Sequence, residues 1–262
     1  MRLSYALASL AAAASLAATR LEAPDEMALI PEGPFTMGSD TGPADERPQQ
    51  LVSLAAYSID RLPVTNGAFA EFLNAVGPLN AGGERLFDAD DPDARIHRIA
   101  GRWAADRGFE AHPVVEVSWT GARDYCAWRG KRLPTEAEWE KAARGRDGRR
   151  YPWGNDPPDY TRARYGAGWN ATIPVGSLSH AASPYGVHDM AGNVWQWVSS
   201  AYLPYPYRAD DGREALAPGP VRGTRGGGHD ASPAEITTTQ RGRSLSRNPR
   251  SGHHNIGFRC AK

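Results

Sequence analysis

The chain has 262 residues, in which 30 lysines and arginines balance 30 aspartates and glutamates. A net charge of zero removes the field that would gather nucleic acid or an anionic membrane surface, so recognition has to come from a local site. The 28 glycines, 21 prolines and 8 tryptophans favour short elements joined by shaped loops and pinned by aromatic side chains.

The chain opens with MRLSYALASLAAAASLAA, one basic residue ahead of a short Leu/Ala run and then small residues. That order is the order of an export signal over residues 1–23, with Ala17 and Ser15 at the small positions of a cleavage site after Ala17. An uncleaved N-terminal anchor is the alternative; no later stretch is apolar enough to span a bilayer. Residues 24–262 then form one domain in a periplasmic or secreted protein. Cys126 and Cys260 are the only cysteines. In an exported chain an even pair points to one disulfide, and in a retained one to two buried thiols.

Met27 to Ile59 reads as short strands separated by the polar loop GSDTGPADERPQQ. Thr65 caps a helix whose apolar residues Phe69, Phe72, Leu73 and Val76 follow helical spacing, and Gly77-Pro78 stops it. Residues 80–112 form a long excursion with a strand at Trp103, and HPVVEVSW reads as a strand leading to a helix capped by Ser118. Thr135 and Glu138 make a capping box, with Trp139, Ala142 and Ala143 on the buried side of the helix they open. Capping and solvation account for Glu136, Glu138 and Glu140 better than catalysis does. IPVGSL and NIGFRC read as further strands, residues 201–220 as a second long loop, and VRGTRGGGHD as backbone held close to a neighbour.

The most informative stretch is PYGVHDMAGNVWQW, residues 184–197. Its glycines, Asp189, Asn193, Trp195 and Trp197 fit no single helical face, so it reads as a shaped loop entering a strand. A carboxylate, an amide oxygen and converging carbonyls suit a hard cation such as calcium; a turn that seats the tryptophans is the alternative.

MALIPEGPFTMGSD, YSIDRLPVTNGAFAEF, HPVVEVSW, DYCAWRGKRLPTEAEWEKAARG, YPWGN, YGVHDMAGNVWQWV, RGG and NIGFRC, in that order, resemble the formylglycine-generating enzyme family, also called sulfatase-modifying factors. The resemblance runs from about residue 27 to the end and implies a single α+β domain of the C-type-lectin-like variety, loop-rich with short sheets and few helices. It also implies a structural disulfide between Cys126 and Cys260. A calcium site would use the Asp189 side chain, the carbonyls of Gly192 and Val194, and the side chain of Gln196. The family commonly has Glu at that last position, so the lost charge weakens such a site. A second calcium site of the family is not expected, because Arg164 and Ala167 stand where its ligands belong.

Formylglycine generation in the family needs a cysteine pair that binds copper(I), and the matching positions here are Ile236 and Arg241. Neither side chain holds a soft metal, so copper is not expected. His229, Asp230 and Arg241 then become candidate catalytic groups, with Trp195, Arg243 and Arg247 as candidate substrate contacts. Bland readings place His229 at a surface loop tip and the arginines in ion pairs. His253 and His254, adjacent in a strand, would face opposite ways. Relatives without the cysteine pair are linked to siderophore maturation and denitrification clusters. The resemblance therefore implies a monomeric tailoring, maturation or accessory factor acting on a periplasmic peptide or redox enzyme. The alternatives are a noncatalytic lectin-like binding module and a formylglycine-generating oxidoreductase acting on sulfatases.

Overall fold

The computed structural model describes residues 26–216, 221–242 and 249–262. The export-signal segment lies outside the described residues, and so do Arg243 and Arg247. Near the N-terminus, β1 (Met27–Ile30) pairs antiparallel with β4 (Tyr57–Asp60), and β2 (Gly33–Met37) with β3 (Gln50–Leu54). In the excursion, β5 (Ile96–Ile99) and β6 (Arg102–Ala105) form the hairpin that carries Trp103. A three-stranded sheet occupies the centre. Its middle strand, β7 (Trp195–Ala201), is antiparallel to β8 (Arg222–Arg225) and parallel to β9 (Ile256–Phe258).

Three helices start where their caps predict. α1 (Asn66–Val76), α2 (Trp119–Trp128) and α3 (Glu136–Arg144) follow Thr65, Ser118 and Thr135, whose hydroxyls accept from the N–H groups of Ala68, Gly121 and Glu138. Glu138 completes the capping box by accepting from the Thr135 N–H. The spacing of Phe69 and Phe72 on α1 brings both rings against Tyr125 of α2, and Phe69 also meets Phe258 of β9 edge-on. Val76, by contrast, lies exposed in the last turn. Cys126 and Cys260 are joined, so a disulfide ties α2 to the chain leaving β9 inside this same core. Among the described residues no helix is long and apolar enough to cross a membrane.

α2 approaches the excursion so closely that a Cβ at Gly121 would lie 2.0 Å from the Leu86 carbonyl oxygen. Gly121→Ala, a gain in intrinsic helix propensity, is therefore expected to destabilise the chain by about 1 to 3 kcal/mol through overpacking. A denaturant melt as stable as wild type would contradict this contact.

Two strand expectations are corrected. HPVVEVSW makes only isolated bridges, Pro113 with Thr65 and Val117 with Phe87, because Glu116 adopts φ 56° and reverses the local pleat. IPVGSL is a turn at Pro174–Ser177, whose Val175 N–H reaches the Ala111 carbonyl at 2.9 Å, and among the described residues it pairs with no strand. The view of Glu136 and Glu140 as solvated is also corrected, since both are fully buried. Glu136 accepts from Arg241 at 2.7 Å, while Glu140 pairs with Arg225 and, at 2.9 Å, with Arg144. This buried network fixes β8 and the segment 238–241 to α3, since Arg225 also donates to the carbonyls of Thr238 and Thr239.

Candidate functional site

The loop ending at Asn193 is a clamp. At Gly192, φ is 77° and a Cβ would fall 2.3 Å from the Arg164 carbonyl oxygen, so the chain passes there as glycine. Asn193 donates its N–H to that same carbonyl at 2.8 Å, and its side chain exchanges both hydrogen bonds with the backbone of Ile173. Its own carbonyl accepts from the N–H of His229 at 2.9 Å. On the other side, Ala167 N–H donates to His229 O and Gly166 N–H to Ala231 O, both at 2.8 Å. The turn after the glycines is thus held between two segments distant in sequence, and the closely held backbone expected of VRGTRGGGHD is present. Gly227, at φ 79°, would carry a Cβ 2.6 Å from the Glu235 carbonyl oxygen.

His229 is fully buried, which removes the loop-tip reading; its ring nitrogens have no well-formed hydrogen bond, and only the backbone of His254 and Gly168 comes within polar reach of them. Its ring lies 5.6 Å from that of His254. The His254 Nε2 stands 3.5 Å from the half-exposed Asp230 carboxylate, which also accepts both bonds from the Asn255 amide at 3.0 and 3.1 Å. The largely exposed indole of Trp169 stacks on His254 at 3.5 Å between ring centres. His229 and Asp230 are therefore brought together as the sequence suggested. His254 and Trp169 complete the group and were not selected from the sequence; the HHN triplet ahead of the last strand was their only signal.

Burial is the main cause that lowers the pKa of both His229 and His254, with the mutual repulsion of the rings adding to it at His254 and Asp230 opposing it. Both rings are thus held neutral in the fold near neutral pH, ready to accept a proton. The stability consequence has a definite sign. Their folded pKa lies below the unfolded one, so stability is undisturbed above about pH 6.5 and is lost as the pH falls through the folded values. The melting temperature is expected to drop as the pH falls below about 6.5, and His229→Gln should flatten that drop. Equal slopes for the two proteins would contradict it.

Next to this group lies a set of carboxylates that sequence reading passed over. Asp91, Asp93 and Glu116 bring oxygens within 4.8 Å of one another. Asp93 is oriented by Trp169 Nε1 at 2.7 Å and Asn170 Nδ2 at 2.6 Å, so the indole over His254 also steadies this acid. Glu116 is buried and its carboxyl is pushed up to about 8, first by burial and then by Asp91, Asp88 and Asp93. The expectation that His253 and His254 alternate within a strand is corrected: both precede β9, with His254 in a turn, and His253 lies within electrostatic reach of both Asp91 and His254.

Other candidates serve the scaffold. Arg241 is buried, spends its Nε and Nη2 on Glu136, donates to the carbonyls of Asp45 and Leu203, and stacks over Tyr202 and Tyr205. That arrangement removes it from the catalytic set. Ile236 is fully buried in an apolar cluster with Tyr151, Ala163 and Tyr165. Trp195 packs in the main core beside Trp197 and Phe258, which corrects its reading as a substrate contact.

The proposed calcium ligands are satisfied from within. The Asp189 carboxylate accepts from Gly176 N–H at 2.7 Å, and Gln196 points its amide donor at the Asp189 carbonyl at 2.6 Å. The other Gln196 amide atom, Oε1, accepts from Trp139 Nε1 and from Arg259 Nε, at 2.9 and 2.7 Å. The buried Arg259 guanidinium also takes the carbonyls of Asp60, Arg61 and His188, and so already supplies a positive charge to this loop. Asp189 and Gln196 therefore do not fit a metal ion together with Gly192 and Val194, and the ligand set read from the sequence is corrected.

Comparison with known proteins now gives this fold its place. The sulfatase-modifying factor enzyme 1-like domain matches residues 13–262. The chain belongs to the sulfatase-modifying factor family. Its solved relatives include PvdO from Pseudomonas aeruginosa, superposing with a TM-score of 0.69 at 30% identity over 90% of this chain and 93% of that one. The inactive C-alpha-formylglycine-generating enzyme 2 of Mus musculus is 35% identical, covering 90% of this chain and 85% of that protein. The serine/threonine-protein kinase Pkn1 of Chlamydia trachomatis is 38% identical over 251 residues, 90% of this chain. The chain spans only 38% of that relative's length. Within the sulfatase-modifying factor family this member keeps the α+β scaffold, and its only two cysteines are bonded to each other.

Proposed function

We propose that this chain is an exported tailoring or maturation factor that acts on a peptide segment, with acid–base chemistry at His229 in place of thiol–copper chemistry. The observation that carries this reading is the fully buried His229 ring, with no side-chain hydrogen-bond partner and no well-formed bond at either nitrogen, set beside His254 and Asp230. A buried polar ring so weakly satisfied costs stability, and such a cost is commonly tolerated where a ligand supplies better bonds. His229 accepts a proton from the bound substrate, and Asp230 favours the imidazolium that results. Exposed Trp169 offers a flat apolar face to an incoming chain.

Family membership supports a protein or peptide as the object of this chemistry. Formylglycine formation through copper is disfavoured, because the chain's two cysteines are bonded to each other and leave no thiolate to hold the metal. A second reading, a noncatalytic binding module, draws support from the exposure of Trp169 and Tyr160. One experiment separates the two. In the source organism, the gene is deleted and the masses of exported peptides and proteins are compared with wild type. A mass change that wild-type chain restores and His229→Gln does not, with Trp169→Ala reduced at least about tenfold, is the expected result. Full restoration by His229→Gln would sink the catalytic reading.

A further inference from the structure

The acidic group beside the histidines carries a site that neither the family resemblance nor the proposed chemistry requires. Asp91 and Asp93 come from one loop of the excursion and Glu116 from the segment before α2, yet their oxygens lie within 4.8 Å of one another. Three acids so close repel one another unless a proton or a cation stands among them. Arg85, on the same excursion, is paired with Asp88. Glu116 is 2% exposed, and its carboxylate has no hydrogen-bond or ion-pair partner among the described residues. A side chain so buried, unpaired and aimed at two other acids is the second observation, independent of the loop that gathers the aspartates. A third is the neighbouring ring: His253 lies within electrostatic reach of Asp91 and its buried Nε2 has no partner. Finally, Asp93 is fixed in orientation by Trp169 and Asn170, the kind of outer support that metal-binding carboxylates receive.

We propose that Asp91, Asp93 and Glu116 bind one hard divalent cation of the calcium, magnesium or manganese class. Carboxylate oxygens are the donors such ions prefer, and no thiolate is present to favour a softer one. The ion sits on the excursion side of Trp169, so it joins the excursion to the turn bearing the histidines by way of that indole. This inference does not depend on His229 being catalytic.

The test uses the full chain, stripped with a chelator and then titrated with calcium, magnesium and manganese chlorides in a calorimeter. One bound ion per chain is expected, together with a raised melting temperature. Glu116→Gln should weaken binding by at least about tenfold, and Trp169→Phe, which removes only the outer hydrogen bond to Asp93, by about tenfold. If Glu116→Gln fails to fold, Asp91→Asn, at a partly exposed position, gives the same reading. Asp189→Asn should leave the affinity unchanged. No heat and no melting shift with any of the three ions would overturn the proposal. So would loss of binding in Asp189→Asn with retention in Glu116→Gln and Asp91→Asn, which would move the ion to the other loop.

Discussion

Glu140→Ala is expected to lower the stability of the chain by about 3 to 5 kcal/mol, the largest effect of any single side-chain change proposed for it. Glu140 is fully buried and holds three partners at once: Arg225, Arg144 and the N–H of Gly38 at 2.8 Å. Removing it leaves a fully buried guanidinium at Arg225 with the longer 3.4 Å contact to Glu136 as its remaining ion pair, beside its bonds to the Thr238 and Thr239 carbonyls. The penalty comes from that stranded charge, because a buried pair gains little over well-packed apolar residues. The joint replacement Glu140→Leu with Arg225→Met should therefore lose much less than the sum of the two single changes. Chemical denaturation of the four proteins gives the coupling directly. Additive losses would show that the two residues do not act as a pair.

The second large effect concerns the Cys126–Cys260 bond, which closes 134 residues of chain. In the chain-entropy account, opening a loop of that size frees the unfolded ensemble by about 4 to 5 kcal/mol. Replacing both cysteines by alanine should lower the denaturation midpoint accordingly, and reductant should do the same to the wild type while leaving the variant untouched. Both sulfurs lie in the core that contains Phe69, Tyr125 and Phe258, so Cys126→Ala with Cys260→Ala also leaves a small void that adds to the loss. A reduced wild type as stable as the oxidised one would show that the unfolded chain is already restrained by other means.

What could be read in the sequence was whatever depends on near neighbours. Thr65, Ser118 and Thr135 announce their helices because a cap needs only the next turn, and Phe69, Phe72 and Leu73 mark a buried face by spacing alone. HPVVEVSW and IPVGSL misled because an apolar stretch becomes a strand only when another strand runs alongside, and among the described residues the first makes only isolated bridges and the second none. The site divided along the same line. The glycines before His229 indicated a close approach of backbone, and that approach is present. Asp93 meeting Trp169, and His254 meeting Asp230, join residues far apart along the chain, which no local pattern encodes. Arg241 showed the opposite failure: a conspicuous charge near the glycines turned out to be committed to Glu136, because the partner that claims it lies on a helix a hundred residues earlier.

That commitment restricts what position 241 can become. Any side chain there without a guanidinium would leave Glu136 in the interior with only the 3.4 Å contact to Arg225 as an ion pair. The two positions are therefore tied: a new residue at 241 is tolerated in the fold only when Glu136 changes with it, so exchange at this spot has to come as a pair.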